Sequence, residues 1–416
     1  MANIIDDLNW RGLIKDYSDE NKMKELLDTP QTIYCGFDPS AGSLHIGNFV
    51  MISILMRLQQ AGHRIIAVVG GATGMIGDPS GKSKERNLLD KDTAKKNTES
   101  IRNQLSKFLD LEDPKKGILI NNYDWLSKIS LLDYLRDYAK YFNVNYMINK
   151  DIVKSRLEAG ISLAEFSYMT LQSIDFLHLH QSEKCNIQIG GSDQWGNLTA
   201  GLELIRKLEP EARCEIMTAN LITRSDGKKF GKSEDGALFL DSKLTSPYKL
   251  YQFFINQSDE DSVKYLKVFT FLSKEEITEI EKEHLANLGQ RIAQKRLAYE
   301  VTKEIHGEEK ANEAIAMSEC LFKNDFSSLK EDQVEELFPK NMIINMDKEL
   351  PLADLLVETK AAQSKREARE FIKNGAILIN GNQEKDENKV FGAKNGLFNK
   401  YLILRRGKKN YYLIKY

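Results

Sequence analysis

Residues 34–48 of this 416-residue chain read YCGFDPSAGSLHIGN and combine the end of a strand, a turn and the start of a helix. Residues 31–37 favour extended backbone, and the Asp, Pro, Gly and Ser of residues 38–43 break it. Apolar residues then recur at helical spacing, which places His45 and Asn48 at the first turn of a helix. Because the first backbone N–H groups of a helix are unpaired and its dipole is positive there, the stretch predicts an anion-binding helix start behind a turn.

Strand-like and helix-like segments alternate through the first half of the chain. The near-continuous apolar run of residues 64–70 is typical of a strand buried on both faces of a parallel sheet. Residues 1–30 read as a helical lead-in. The alternation predicts a doubly wound α/β domain whose ligand binds beyond the carboxyl ends of the strands. The further predicted segments are strands at 117–121 and 186–190 and helices at 91–111, 131–142, 161–179 and 194–208.

The chain is too long for a single ordinary core, and its character changes towards the carboxyl terminus. Residues 248–320 carry helical periodicities rich in Glu and Lys and no strand-like run, so they predict a helical domain. Residues 321–349 read as a linker. A last compact unit over residues 350–416 begins with two helices, the second of them basic, and continues with a strand that enters a tight turn at Asn380 and Gly381.

Charge is distributed unevenly along the chain. Residues 360–416 contain fourteen Lys or Arg and five Asp or Glu, so the formal charge of −2 for the whole chain leaves about −11 for the preceding residues. A basic tail on an acidic body predicts a polyanion as the partner of the tail, and a solvated basic face without a partner is the alternative.

Composition also indicates the compartment. The N-terminus has no apolar signal-peptide core and no run of about eighteen apolar residues is present, so neither export nor membrane spanning is expected. The four cysteines lie far apart and form no C-x-x-C pair, which argues against a zinc site or a disulfide framework. We therefore expect a protein of the reducing cytoplasm without a metal site of its own.

A polar stripe interrupts the long apolar helix. Tyr168, Gln172 and Asp175 stand at positions i, i+4 and i+7, on one side of a helix whose other positions are mostly apolar. A solvent-facing stripe is the alternative, but such faces usually carry Lys and Glu, so we favour a bound polar ligand. The nearby His178 and His180 read as packing or surface residues, because their i, i+2 spacing places them on different faces of the helix and not around one metal.

Three glycine-containing stretches carry the remaining polar candidates. Residues 70–79 follow the second strand but lack the spacing of a dinucleotide fingerprint, and the Gly-Lys-Ser triplets that end at Ser83 and Ser233 lack the spacing of a P-loop. Their carboxylate, Asp78, is placed to meet a cation such as an amino group, with a purely structural turn as an equal alternative. In residues 190–197, GGSDQWGN, Asp193 can accept hydrogen bonds from a sugar diol. Residues 224–233 hold three lysines on a glycine-hinged loop, which suits a phosphate clamp or else a solvated surface loop.

Several of these motifs together resemble the signatures of a known enzyme family. The HIGN of residues 45–48 resembles the first signature of the class I aminoacyl-tRNA synthetases, and the KFGKS of residues 229–233 resembles their second signature in its tyrosine-enzyme form. With Tyr34, the polar stripe and the GSDQWG block added, the chain resembles the bacterial tyrosyl-tRNA synthetases over essentially its full length.

The resemblance implies a reaction, a set of partners and a division into domains. The implied reaction is formation of tyrosyl-adenylate and pyrophosphate from tyrosine and ATP, followed by transfer of the tyrosyl group to the 3′ end of tRNA(Tyr) in translation. A cytoplasmic homodimer is implied, with Mg²⁺ accompanying ATP and with neither membrane nor DNA involved. The implied domains are a Rossmann-like catalytic domain over 1–220 with a helical dimerisation insertion near 120–165, a mobile KFGKS loop and link over 221–247, a helical anticodon-binding domain over 248–320, a linker over 321–349 and an S4-like RNA-binding domain over 350–416.

The resemblance also implies roles for individual residues. Adenylate formation needs positioning and charge stabilisation more than a protein nucleophile, so lysines and a helix N-terminus suffice. The phenol hydroxyl of tyrosine is implied to bind Tyr34 and Asp175. Its amino group is implied to bind Asp78, Tyr168 and Gln172, and its carboxylate is implied to lie near Gln194. The residues implied to bind ATP or the adenylate are Cys35, Gly191 and Asp193 at the ribose, with Gly36, Asp38, Gly47 and Lys232. Those implied to stabilise the phosphates are His45, Asn48, Lys82, Arg86, Lys229 and Lys232.

One position departs from the family pattern, because the first signature normally ends in a second histidine and here ends in Asn48. An amide can still donate a hydrogen bond, so we expect the activity to persist. Two alternatives remain open. A catalytically idle paralogue that binds structured RNA is one, and the intact His45 and Lys229 count against it. A tryptophan-specific relative is the other, and the pair of Tyr34 and Asp175 counts against it.

Overall fold

The computed structural model describes residues 3–80, 90–150, 153–154, 160–225, 230–233, 236–407 and 410–416 and, of Lys91, Lys232 and Ser233, the backbone only. The chain forms two compact units, Met1–Thr245 with Ser258–Ala293 and Ser246–Gln257 with Gln294–Tyr416. None of the helices within the described ranges is long and apolar enough to cross a membrane.

The first unit is built on six strands: β1 (Ile14–Tyr17), β2 (Thr32–Phe37), β3 (Arg64–Val69), β4 (Gly117–Asn121), β5 (Cys185–Gly191) and β6 (Glu215–Ala219). Their order in the sheet is β1-β6-β5-β2-β3-β4. Neighbouring strands are parallel except for β1, which pairs antiparallel with β6. Residues 65–69 are buried, which confirms the prediction of a strand covered on both faces. A short antiparallel pair follows later in the chain, formed by β7 (Lys232–Ser233) and β8 (Gly236–Ala237).

Helices fill the connections between the strands. The helices of the described residues are α1 (Ile4–Trp10), α2 (Glu20–Leu27), α3 (Ile46–Gln60), α4 (Thr73–Ile76), α5 (Lys91–Leu105), α6 (Tyr123–Leu126), α7 (Leu131–Asp133), α8 (Val144–Ile148), α9 (Leu163–Glu183), α10 (Trp195–Leu208), α11 (Pro247–Ile255), α12 (Asp259–Phe269), α13 (Lys274–Ala286), α14 (Ile292–His306), α15 (Glu308–Lys323), α16 (Glu331–Val334), α17 (Leu352–Glu358) and α18 (Lys365–Lys373).

The long helix α9 has sharply defined ends. The side chain of Ser162 accepts a hydrogen bond from the backbone N–H of Glu165 and caps its first turn. Lys184 ends it in the left-handed conformation, with φ of 55°. The single helix predicted over 131–142 is instead broken, because α7 passes into a π-helical turn and then a 3-10 turn.

The predicted helical lead-in is wrong in one part, because residues 14–17 form β1. This strand reads IKDY and has only one buried residue, so it carries no strong strand pattern of its own. Its extended conformation comes from pairing with β6 at the edge of the sheet. The sequence patterns did not predict β6 either. The predicted strands at 117–121 and 186–190 are present as β4 and β5.

The second unit contains a five-stranded sheet. Its strands are β9 (Ile343–Asn345), β11 (Ile377–Ile379), β12 (Asn382–Gln383), β14 (Tyr401–Arg406) and β15 (Asn410–Lys415), in the order β12-β11-β14-β15-β9. All pairs are antiparallel except β15 with β9. The strands β10 (Leu350–Pro351) and β13 (Val390–Phe391) form a separate antiparallel pair.

Two features of the second unit bear on the sequence predictions. Asn380 and Gly381 have φ of 47° and 85° and form the predicted tight turn, between β11 and β12. The segment 321–349, read as a linker, contains β9 of the sheet and buries Val334 and Phe338. Its short apolar runs lack a periodic pattern, so the sequence does not indicate that they pack in the core of the second unit.

Candidate active site

A cavity of about 650 Å³ lies at the carboxyl ends of β2 and β5. The strand order reverses here, because β3 and β4 follow on one side of β2 and β6 lies on the far side of β5. Ligands of open α/β sheets bind at such a point, where the loops after two adjacent strands diverge and leave a crevice. The predicted site residues that line this one cavity are Tyr34, Cys35, Gly36, Asp38, His45, Gly47, Asn48, Asp78, Tyr168, Gln172, Asp175, Gly191, Asp193 and Gln194.

Asp175 brings a carboxylate to the cavity that is only 1 % exposed. Its Oδ2 accepts a hydrogen bond from Asn122 Nδ2 at 3.0 Å, and its Oδ1 accepts one from Trp125 Nε1 at 2.8 Å. Burial raises the pKa of Asp175 to about 7, and the two donors oppose that rise. Burial and the neighbouring Asp175 also raise the pKa of Tyr34 well above its usual value, so Tyr34 offers a neutral hydroxyl. A carboxylate and a hydroxyl are thus held together out of water.

Tyr168 connects this pocket to the turn after β2. Its hydroxyl donates to Asp38 Oδ2 at 2.7 Å, and the other carboxylate oxygen of Asp38 accepts from Thr73 Oγ1 at 3.0 Å. Asn122 Nδ2 donates to the same Thr73 oxygen at 3.0 Å as well as to Asp175. A continuous network therefore joins Tyr168 to Asp175. Asp38 belongs to this network. The resemblance assigns Asp38 to ATP, but its hydrogen bonds connect it to residues that are assigned to tyrosine.

A second carboxylate, Asp78, is fixed by hydrogen bonds on both oxygens. Oδ1 accepts from the backbone N–H of Ser80 at 2.9 Å, and Oδ2 accepts from Gln194 Nε2 at 2.6 Å. Asn197 Nδ2 donates to Gln194 Oε1 at 3.0 Å and so sets the orientation of that amide. Gln172 lines the same cavity from α9. The arrangement presents carboxylate and amide groups suited to an ammonium and a carboxylate side by side.

The ends of β2 and β5 form a narrow part of the cavity wall. A Cβ on Gly191 would lie 2.6 Å from Asp193 Oδ1, so glycine leaves the space that this carboxylate occupies. Burial raises the pKa of the Cys35 thiol to about 12. Cys35 therefore stays protonated at neutral pH and can hydrogen-bond but not act as a nucleophile. Gly36 beside it exposes backbone to the cavity.

The first signature forms the amino-terminal cap of α3. His45 Nδ1 accepts from the backbone N–H groups of Gly47 at 3.0 Å and Asn48 at 3.3 Å, and Asn48 Oδ1 accepts from the backbone N–H of His45 at 3.0 Å. This reciprocal capping box fixes both side chains at the cavity. Asn48 thus has a structural role that the sequence did not indicate, because it closes the box with His45.

The predicted cationic residues lie largely beyond the described residues. Of Lys232, the backbone is described and lies in the short pair of β7 with β8. Those that fall outside the described residues altogether are Lys82, Arg86 and Lys229.

The described part of the second signature packs against two helices. The ring of Phe230 lies 4.8 Å, centroid to centroid, from each of Tyr265 and Phe269 on α12. Gly231 has a positive φ of 81°, and a Cβ there would lie 2.8 Å from Ile46 Cγ2. The backbone at Gly231 therefore passes close to the start of α3, where His45 lies.

Sequence reasoning missed three residues that shape this site, namely Thr73, Asn122 and Trp125. A signal was present, because Asn121 ends the strand β4 and Asn122 comes directly after it, at the sheet edge where ligands bind. Among the described residues, no group of three or more His, Cys, Asp or Glu side chains is placed to hold a metal ion.

Comparison with known proteins gives full-length relatives. The chain is 50% identical over 417 residues to the Tyrosine--tRNA ligase of Bacillus caldotenax, with 100% of both chains covered. It is 51% identical over 416 residues to Tyrosine--tRNA ligase 1 of Bacillus cereus, which covers 99% of this chain and 100% of that one. A C-terminally truncated mitochondrial tyrosyl-tRNA synthetase of Aspergillus nidulans matches the structure with a TM-score of 0.69 at 31% identity, covering 77% of this chain and 95% of that chain.

Family matches agree with the geometry. Residues 27–323 match the family described as tRNA synthetases class I (W and Y), and residues 333–414 match the Tyrosine--tRNA ligase SYY-like C-terminal domain. The parallel sheet, the capped HIGN helix start and the cavity between them are those of a class I aminoacyl-tRNA synthetase. With its full-length identity to the relatives above, the chain belongs to the tyrosine--tRNA ligases, which are ATP-dependent ligases.

Proposed function

We propose that this protein activates tyrosine with ATP, giving tyrosyl-adenylate and pyrophosphate, and then transfers the tyrosyl group to the 3′ end of tRNA(Tyr). The observation that carries the proposal is the buried Asp175 carboxylate, held by Asn122 and Trp125 in the same cavity as Tyr34. A phenol hydroxyl can donate to Asp175 and accept from Tyr34. A phenyl ring would form no hydrogen bond with the buried Tyr34 hydroxyl or the buried Asp175 carboxylate, so the pocket favours tyrosine over phenylalanine.

The remaining polar atoms of tyrosine are assigned to the network beside this pocket. Tyr168, Asp78 and Gln172 receive the ammonium group, and Gln194 lies near the carboxylate. The hydrogen bonds that fix Asp78 and Tyr168 support this assignment, because groups held in place before binding need little reorganisation when the substrate arrives. Asp38 supports the same end by accepting from Tyr168.

The ATP end is assigned to the glycine-lined strand ends and the start of α3. Cys35, Gly191 and Asp193 contact the ribose. The tyrosine carboxylate attacks the α-phosphorus, and developing phosphate charge is stabilised by His45, Asn48 and the amino-terminal backbone of α3. The further phosphate ligands carried over from the signatures are Lys82, Arg86, Lys229 and Lys232, with Mg²⁺ accompanying ATP.

The second unit is assigned to tRNA binding. The helix α18 presents Lys365, Arg366, Arg369 and Lys373, and all four are exposed. The match of residues 333–414 to the C-terminal domain of the tyrosine ligases supports this role. Basic side chains on a helix suit the phosphates of structured RNA, and the sequence surplus of positive charge lies in the same region.

Dimerisation is assigned to the insertion between β4 and α9. Three large apolar side chains there are exposed: Leu131 by 71 %, Leu132 by 76 % and Leu135 by 51 %. Contiguous exposed leucines are costly in water and are typical of a surface that pairs with another copy. The composition supports a cytoplasmic location for the dimer.

The direct test is tyrosylation of tRNA(Tyr) by the purified protein with ATP and Mg²⁺. Tyrosyl-tRNA should form, and its absence would contradict the proposal. The paired substitution Arg366→Gln with Lys373→Gln should weaken tRNA charging and reduce its salt dependence while leaving adenylate formation intact, because phosphate contacts release counterions. Unchanged charging would leave the basic helix without a role in tRNA binding.

A further inference from the structure

The indole of Trp125 spans one turn of α9 and contacts two of its residues. Its Nε1 donates to Asp175 Oδ1 at 2.8 Å. Its ring stacks on His178, with centroids 4.6 Å apart and ring planes inclined by 20°. Asp175 and His178 stand three positions apart, so their side chains project from the same face of α9. One aromatic ring therefore connects the tyrosine pocket to a histidine that no step of the proposed reaction uses.

The orientation of Trp125 depends on contacts outside its own helix. It belongs to α6, a helix of four residues whose N-cap forms no side-chain hydrogen bond. Its side chain is partly buried and packs against a hydrophobic core cluster that includes Ile174 and Leu177 of α9. A hydrogen bond weakens steeply as the donor turns away from the acceptor, and one N–H contact leaves the ring free to tilt. A stacked aromatic partner fixes the plane of the ring.

We propose that His178 is a positioning residue for tyrosine selection, because its ring holds Trp125 in the plane from which the indole N–H donates to Asp175. The inference rests on the proposed function, since its effect is measured through tyrosine. Without the stack the indole tilts, its donation weakens, and Asn122 is left as the strong described donor to Asp175. A carboxylate that loses a donor retains its proton to higher pH. Asp175 then offers a poorer acceptor to the substrate phenol at neutral pH.

The groups around His178 and Asp175 indicate that His178 acts on Asp175 through its ring and not through a charge. Burial lowers the pKa of His178, Lys128 lowers it further, and Glu183 opposes both. His178 is therefore neutral at pH 7 and stacks as an uncharged ring. Asp175 faces Asp38 and the hydroxyl of Tyr34 in addition to its two donors, and the charge of Asp38 raises its pKa. His178 thus acts on Asp175 through the position of the indole.

The test compares two substitutions that both fill the space of the imidazole. His178→Leu keeps an apolar side chain without a π face, and His178→Phe restores an aromatic face. His180→Leu is the matched control, because His180 lies two positions along the same helix and contacts the Cys185 carbonyl at 3.0 Å and Glu209 at 3.3 Å. The measurement is tyrosine-dependent ATP–pyrophosphate exchange by the full-length protein, as kcat/KM for tyrosine against pH and KM for ATP.

His178→Leu should lower kcat/KM for tyrosine at neutral pH by about tenfold, the effect of weakening one hydrogen bond to a charged group. Its acid limb should move to higher pH by about one unit, while KM for ATP stays at the wild-type value. His178→Phe and His180→Leu should behave as the wild type. Trp125→Phe, which lacks the indole N–H, should show the same shift of the acid limb, and adding His178→Leu to it should change nothing further.

Three results would overturn the inference. The first is an acid limb of kcat/KM for tyrosine that stays in place in His178→Leu or in Trp125→Phe. The second is a shift of equal size in His178→Phe. The third is a loss in His178→Leu that affects the kinetic parameters for tyrosine and ATP equally, which would indicate a general structural role. Wild-type protein without tyrosine-dependent exchange would instead contradict the proposed function. The two failures are therefore distinguishable in one series of assays.

Discussion

The two ends of the cavity are built in different ways. At the tyrosine end, side chains form the binding surface: Asp175 is buried and accepts hydrogen bonds from Asn122 and Trp125. At the phosphate end, the first turn of α3 forms the binding surface, and His45 and Asn48 form its cap within reach of solvent. A buried group without its partner costs far more than an exposed one. The amino acid should therefore be chosen at the buried end, and the exposed end should contribute to rate.

The largest effect should come from removing the buried acceptor. Asp175→Ala should lower kcat/KM for tyrosine by about 10³-fold, because it removes the partner of the phenol and also the acceptor that Asn122 and Trp125 share. KM for ATP should change little. Pyrophosphate exchange measures both quantities. Equal losses for tyrosine and ATP would show that Asp175 holds the fold together and does not select the substrate.

A smaller effect, of a different kind, is expected at the helix start. His45→Ala should lower kcat of adenylate formation by about 10²-fold, a typical cost for removing one stabilising donor at a developing charge. Tyrosine binding in the absence of ATP, followed by calorimetry, should be unchanged. A weakened tyrosine affinity would remove the distinction between the two ends.

The buried end should also respond to pH. Because burial raises the pKa of Asp175 to about 7, its ionised, accepting form increases as the pH rises through that value. The kcat/KM for tyrosine should thus increase by about tenfold between about pH 6 and pH 8. The same limb should be missing from KM for ATP. A flat tyrosine profile would show that the substrate does not sense this carboxylate.

The smallest effect is expected at Asn48. Asn48→Ala removes the acceptor for the His45 backbone N–H and should destabilise the protein by about 1 kcal/mol, as expected for half of a capping box. Its kcat should fall only a few-fold, well short of His45→Ala. Thermal unfolding and exchange kinetics provide the comparison. A loss of kcat as large as that of His45→Ala would show that Asn48 stabilises the phosphate charge as strongly as His45 does.

The sequence could predict which residues meet, and less of how they are held. The spacing of Tyr168 and Asp175 on one helix face predicted a bound polar ligand, and the family resemblance joined them to Tyr34, whose cavity they line. The helix start at residues 45–48 was likewise predictable from the turn before it.

What could not be predicted depends on contacts between distant segments. The position of Asn122 after β4 places it at the ligand edge of the sheet, but nothing local to Asn122 or Trp125 identifies Asp175, about fifty residues away in the chain, as their partner. The edge strand β1 is extended only because β6 pairs with it, and β9 becomes a strand only beside β15. Local pattern carries information on neighbours in the chain, and these features depend on neighbours in space.

Amino-acid-dependent ATP–pyrophosphate exchange tests the central claim most directly. The purified protein is assayed with tyrosine, phenylalanine and tryptophan in turn, at fixed ATP and Mg²⁺. The buried carboxylate and hydroxyl predict exchange with tyrosine and none above background with the other two. Exchange driven by tryptophan, equal exchange with phenylalanine, or no exchange at all would contradict the account.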